Sequence, residues 1–302
     1  MIIKNLILKN ISNYKFKILK INFLLDKLLD LIRKNLKNLE ADQKFLNKIN
    51  KVDKNNLDNF IFLLRALDFR LLDYPQNWKY KNEKGFFGLT ERIINLFNII
   101  NFNQKQTDYS KINFLTFKKI VSPKENITLA KLRHKIFKDC LSWLQNYDNN
   151  FYNYFEENKT AFNFCLNLFN LEKFRDFYKN LYFLKPNQLL YFEYILAKKL
   201  TNKFKDELES LTIFADYKIP QILISFGLIE LPNRYLIKIK KGKIIRKFSL
   251  FENELRLASI LLGEEIGLKL KIPSYRIDNI LWWLSHKIKL KIPVLKIKTI
   301  FY

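Results

Sequence analysis

An all-α fold, a single compact helical domain, is what this sequence predicts, and three observations predict it. Apolar residues recur at the three- and four-residue spacing of one helical face through most of the chain. Glycine and proline are scarce, 6 and 7 in 302 residues, which leaves little material for hairpin arrays or long loops. No internal repeat, low-complexity linker or break in composition divides the chain.

In chain order, Ile21, Leu24, Leu25, Leu28, Leu29, Ile32, Leu36 and Leu39 mark a first amphipathic helix. Phe60, Ile61, Leu64 and Leu67 mark a second, within residues 58–72. Gly85-Phe86-Phe87-Gly88 punctuates the chain before a helix over 89–100. Residues 101–126 are polar, contain Pro123 and predict an irregular connector. Leu129, Leu132, Ile136, Cys140, Trp143 and Leu144 define a helix of about five turns. Two short amphipathic segments follow, near 162–169 and 174–181. Pro186 suits the first turn of a helix running to about Leu200, and Pro220 that of a helix ended by Gly227. Residues 252–266 and 274–285 read as helices separated by Gly267 and Pro273. The tail, 292–302, alternates apolar and Lys residues and predicts a short strand.

Lysine and arginine number 54 against 29 acidic residues, a net charge of +25. Such a balance suits a polyanionic partner. The chain is equally crowded with Asn, Ile, Phe and Tyr, which share AT-rich codons with Lys, so compositional drift yields the same solvated basic surface. Lysine is spread through nearly every segment, with one concentration at 238–247, KIKKGKIIRK. No apolar run is long enough to span a bilayer, and the opening MIIKNLILKNISNYKFK lacks the pattern of a signal peptide, so no membrane partner is expected. Cys140 and Cys165 give neither a disulfide framework nor a metal quartet, and a reducing, cytoplasmic setting follows. His134 and His286 are too few for a His-based metal site, and no metal is expected.

No Walker loop, GxGxxG, GxSxG, HExxH or CxxC is present. His134, beside Arg133 on an amphipathic helix, reads as structural. His286 follows Trp282-Trp283 near a helix end, where the dipole favours an imidazolium. Among carboxylates, Asp216 stands out, within SLTIFADYKIPQ (210–221). Two readings stay open. An Asp just before a helix-starting Pro caps the first turn, and that is the commoner outcome. A carboxylate held among Phe214, Tyr217 and Ile219 is instead tuned for reaction by desolvation.

The run SLTIFADYKIPQILISFGLI resembles the signature segment of the queuosine salvage family, the queuosine 5′-phosphate N-glycosylases. Further segments resemble the family in the same order over about residues 57–302. These are Ala66-Leu67-Asp68-Phe69, KGFFGL from Lys84, LAKLRHKI from Leu129, FLKPNQLL from Phe183, ENELR from Glu252 followed by Glu264, DNILW from Asp278, and the aromatic pair Phe301-Tyr302. Residues 1–56 precede this region as N-terminal helices. The resemblance implies an all-α fold similar to helical DNA glycosylases, a monomer with no cofactor, and hydrolysis of the N-glycosidic bond of queuosine 5′-phosphate to queuine and ribose 5-phosphate.

On that resemblance Asp216 is the catalytic residue, offsetting positive charge on the ribose as the C1′–N bond breaks, activating water, or attacking directly. A 7-deaza base lacks N7 as a protonation site, so its departure depends on hydrogen bonds to other ring atoms. The implied substrate-binding residues are Phe214 and Phe69 stacking on the base, Asp278 accepting its hydrogen bonds, Lys185 and Lys218 at the phosphate or the carboxylate, and Asp68 and Trp282 lining the pocket. The chain departs from the pattern at Asp68 (usually Asn), Leu72 (aromatic), Pro186-Asn187 (a basic-small pair), Lys218 (Arg) and Trp283 (an acid). The alternative drawn from charge alone is a basic helical nucleic-acid-binding protein without catalysis, and a third reading is a helical scaffold that has lost activity.

Overall fold

A computed structural model describes residues 2–36, 40–71, 79–80, 82–100, 112–122, 127–158, 160–179, 181–183, 185–196, 208 and 211–302. Among these the fold is all-α, with strands confined to three antiparallel pairs of two residues each. No described helix is long and apolar enough to cross a membrane. The chain gathers into two compact units.

The first unit comprises Met1–Ala41, Asp176–Asn187 and Leu200–Thr299. Its longest helix is Leu250–Leu270. Ser249 and Glu252 start it as a capping box: Ser249 Oγ accepts the Glu252 N–H at 3.3 Å, and Glu252 Oε2 accepts the Phe248 N–H at 2.9 Å. Burial on nearly every side leaves this helix without a polar stripe. Lys218–Ser225 and Ser274–Lys287 pack against it and against each other. Gly267 lies inside the helix rather than after it. It is there because the returning chain passes so close that a Cβ would sit 2.8 Å from the Ile272 carbonyl oxygen. The N-terminal helix Ile2–Ser12 also lies on Leu250–Leu270, where Lys4 pairs with Glu264. The buried Glu254 carboxylate accepts the N–H groups of Lys17, Ile18 and Leu19 at 2.7, 2.8 and 3.0 Å, giving an irregular segment the partners it requires.

Three predictions for this unit are corrected. The segment near 174–181 ends in a hairpin, Phe177–Tyr178 with Leu181–Tyr182, because Lys179 takes a left-handed turn (φ +53°) and Phe177 meets Tyr182 across the pair. The first amphipathic helix spans Asp26–Asn35, and Ile21 lies instead in a two-residue strand opposite Ile229, while Leu39 is outside the described residues. The tail makes a single parallel bridge, Ile245 with Ile297, in place of a strand, and Pro293 interrupts its run of donors. A helix over Asn233–Lys240 went unpredicted because lysines flank the one side chain, Ile239, that it buries.

The second unit comprises Asp42–Arg175, Gln188–Lys199 and Ile300–Tyr302. The helix Leu57–Leu67 packs against Gly85–Ile99, Ala130–Leu144 and Phe151–Glu157, with Phe62 stacked on Phe151 at 4.5 Å. Arg133, fully buried, donates to the Leu67 and Phe69 carbonyls and, through Nε, to Thr128 O at 3.0 Å. It thereby supplies donors to two carbonyls where the chain leaves Leu57–Leu67. Within the predicted connector, Phe114–Val121 is a helix, capped by Asn113, which accepts the Thr116 N–H at 2.9 Å. His134 is structural, its Nε2 2.9 Å from the Ile112 carbonyl and its ring against Phe117. The Pro186 start of Pro186–Leu196 is as predicted. Leu72, Pro123, Leu200 and most of 101–126 lie outside the described residues.

The close approach at Gly267 makes a prediction. Gly267→Ala forces the backbone at 272–274 to shift and lowers stability by about 1–3 kcal/mol, read as a lower urea midpoint at unchanged slope.

Candidate active site

Residues 211–216 run without helix or strand through the interior of the first unit, every one of them buried. Irregular backbone in such a place must find hydrogen-bond partners from side chains. Ser274 Oγ donates to the Leu211 carbonyl at 3.0 Å. The Phe214 N–H donates to Asp278 Oδ1 at 2.9 Å. Arg256 Nε donates to the Ala215 carbonyl at 3.1 Å. Ala215 itself has φ +48°, a left-handed conformation that costs a residue with a Cβ about 1–2 kcal/mol. The segment also needs space: a Cβ at Gly263 would lie 2.5 Å from the Ile213 side chain.

Arg256 is the centre of this fastening. Its Nη1 and Nη2 donate to Asp176 Oδ1 and Oδ2 at 2.8 and 2.7 Å, a bidentate pair with both partners fully buried. Its guanidinium lies 3.9 Å from the Phe183 ring centre. The Phe183 N–H returns to the Asp176 carbonyl at 3.0 Å, which fixes the start of the segment leading to Lys185.

Asp216 follows directly. Its Oδ1 accepts the N–H groups of Lys218 and Ile219 at 2.7 and 3.3 Å and so caps the helix Lys218–Ser225. Among the described residues no hydrogen bond reaches Oδ2. Burial pushes the carboxyl above the usual carboxylate range, against the opposing pull of the two N–H donors and of the Lys185 and Lys218 charges. Burial likewise lowers the Lys218 ammonium, opposed by Asp216. The His286 imidazole, exposed at its edge, is also pushed down, by partial desolvation and then by the Lys218 charge, although its Nδ1 lies 2.8 Å from the Trp282 carbonyl. The imidazolium expected from the helix dipole is therefore disfavoured. Trp282 lies against this imidazole, ring centres 4.4 Å apart.

Of the residues singled out in the sequence, Asp216, Phe214, Asp278, Lys185, Lys218 and Trp282 all belong to the first unit. Asp68 and Phe69 belong to the second. There Asp68 Oδ2 accepts from Arg65 Nη1 at 2.6 Å, and Arg65 Nη2 reaches Gln188 Oε1 at 2.5 Å. The extra negative charge at 68 thus has its own partner. Phe69 is buried, with Arg133 and Lys173 at 4.0 and 4.7 Å from its ring centre. Sequence reasoning missed Asp176, Ser274 and Gly263. Only their distant partners explain them, and no local pattern marks them. No cluster of three His, Cys, Asp or Glu suited to a metal ion occurs among the described residues.

The family model described as queuosine salvage protein matches residues 48–302. A queuosine 5′-phosphate N-glycosylase/hydrolase of Schizosaccharomyces pombe is 28% identical over 112 residues, covering 32% of each chain. One of Nematostella vectensis is 30% identical over 118 residues, 32% of this chain and 34% of the relative. One of Bos taurus is 36% identical over 72 residues, 24% of this chain and 21% of the relative. The chain spans about a third or less of the length of these relatives.

The buried pair predicts an asymmetry. Arg256→Met strands the Asp176 carboxylate and costs about 3–5 kcal/mol. Arg256→Met with Asp176→Leu removes both charges and recovers part of that loss in urea unfolding, the remainder being the buried Glu252 carboxylate that lies 3.8 Å from Arg256 Nη1.

Proposed function

This chain belongs to the queuosine salvage protein family, and from that premise we propose that it hydrolyses the N-glycosidic bond of queuosine 5′-phosphate. One observation carries the reading: Asp216 spends one oxygen on a helix cap and keeps the other unbonded, in a buried setting that feels the charges of two lysines. Cap and catalytic group are then the same side chain through different atoms. Oδ1 fixes the rotamer, and Oδ2 is left to meet charge developing at C1′. As the C1′–N bond breaks, the bonding electrons leave with the base, water supplies hydroxyl to C1′, and its proton ends on the departing base. Asp216 stabilises the cationic sugar and takes part in delivering that water.

Lys185 and Lys218 supply positive charge for the 5′-phosphate and oppose the effect of burial on the carboxylate. Phe214 is proposed for the base, with Trp282 lining the pocket. Asp278 is proposed to orient the base through the same segment whose Phe214 N–H it accepts. The reaction needs water and no organic cofactor or metal. A cytoplasmic monomer that folds as one domain belongs to the same proposal, and the buried thiols of Cys140 and Cys165, neither in a disulfide, suit a reducing compartment.

The test is release of free base from queuosine 5′-phosphate. Asp216→Asn keeps an Oδ1 for the cap and removes the charge. Base release is expected to fall about 10²–10⁴-fold, and turnover at the wild-type rate would refute the assignment. The wild-type rate should fall on the acid side at a pH above the ordinary Asp value of about 3.9, and on the alkaline side below the ordinary Lys value of about 10.4. Stability follows with the opposite sign. A raised carboxyl pKa makes the folded chain hold a proton that the unfolded chain releases. The resulting destabilisation is absent below about pH 4 and complete above the folded pKa. Asp216→Asn should therefore melt above the wild type at neutral pH, and the gap should close near pH 4.

A further inference from the structure

We infer that a basic face of the first unit, built from residues 231–247 and 287–298, binds the phosphate backbone of folded RNA. The first segment carries seven Lys or Arg and the second five, and neither contains an Asp or Glu. They are 40 residues apart in sequence and become neighbours through the parallel bridge between Ile245 and Ile297, where the Ile245 N–H donates to the Lys296 carbonyl at 2.7 Å. At the turn closing Asn233–Lys240, Gly242 packs against the Lys296 side chain, whose Nζ is 3.3 Å from the place a Cβ would occupy. Lys238, Lys240, Lys241, Lys243, Arg246 and Lys298 are exposed, and none has an acidic partner among the described residues.

Side-chain orientation selects the partner. Ile239, Ile245, Ile292, Leu295 and Ile297 are all buried, so both segments turn their aliphatic side inward and their ammonium groups outward. A helix that inserts into a bilayer would need that aliphatic side, and purely electrostatic contact with anionic lipid is told apart by the vesicle measurement below. Ile237 and Ile244 are exposed here, and isolated apolar residues are normal on any surface. The aromatic rings are engaged too: Tyr235 stacks on Phe251 at 4.1 Å and Phe248 on Tyr178 at 5.2 Å, so base stacking is not what this face offers. What remains is a two-segment array of point charges, the form that contacts phosphates without reading sequence. The choice of RNA over DNA rests on the proposed function, whose substrate is a ribonucleotide.

The test is fluorescence anisotropy with a labelled RNA hairpin of arbitrary sequence. Affinity of the wild type should fall at least tenfold between about 50 and 200 mM salt. Reversal of Lys238, Lys241, Lys243 and Lys298 to Glu should weaken binding at least tenfold and flatten the salt dependence. Reversal of Lys9, Lys15, Lys27 and Lys34, exposed residues of the same unit, gives the same net charge and should change affinity less than threefold. Equal losses in the two variants would overturn the inference. So would equal affinity for the matching DNA hairpin, or tighter binding to phosphatidylserine vesicles than to RNA. Base release from queuosine 5′-phosphate should be unchanged by the first set of reversals. A wild type that binds RNA but releases no base would count against the proposed function and leave the binding intact.

Discussion

Seven buried atoms of the Arg256–Asp176 fork carry more of this molecule than their size suggests. The pair is fully buried and bidentate, and the third guanidinium donor is turned onto the Ala215 carbonyl. An ion pair so deep contributes little net stability compared with apolar side chains of the same volume. Its value is geometric. It gives an irregular interior segment a fixed course where no neighbouring strand could, and it holds Ala215 in a conformation that the backbone would otherwise leave. Every property argued for Asp216 depends on that course.

On the proposed function, the structural and the functional reading of Asp216 need not compete. A carboxylate has two oxygens, and a helix start needs only one. The cap restricts the side chain to one rotamer, which is the ordering that a reactive group needs before substrate arrives. The raised proton affinity comes from desolvation, and the two lysines limit it. The same burial lowers Lys218, so the neighbouring groups are drawn towards each other's range.

The helices with one apolar face were legible in the sequence. Ala130–Leu144 and Ser274–Lys287 fall within two residues of their expected limits because their buried positions recur regularly. Phe114–Val121 was hidden by polar neighbours and a nearby proline, although its Asn113 cap is a local signal that could have found it. The capping box at Ser249 and Glu252 was likewise there to be read. The hairpin at Phe177 was not, since a left-handed lysine has no sequence signature. At the site, Asp216 was legible because SLTIFADYKIPQ is a specific pattern. The roles of Arg256, Asp176 and Gly263 exist only across long sequence separations, where local periodicity carries no information.

The donors and acceptor that fasten residues 211–215 share a direction in the chain. Arg256, Ser274 and Asp278 all lie downstream of the segment that they hold. During synthesis the ribosome therefore releases Asp216 well before anything exists to set it in place. The nascent chain passes through a stage with much of its helical content before the irregular segment has its partners. That segment is fastened only by the last fifth of the sequence, and a translational stall before that point yields a chain in which its course is not set.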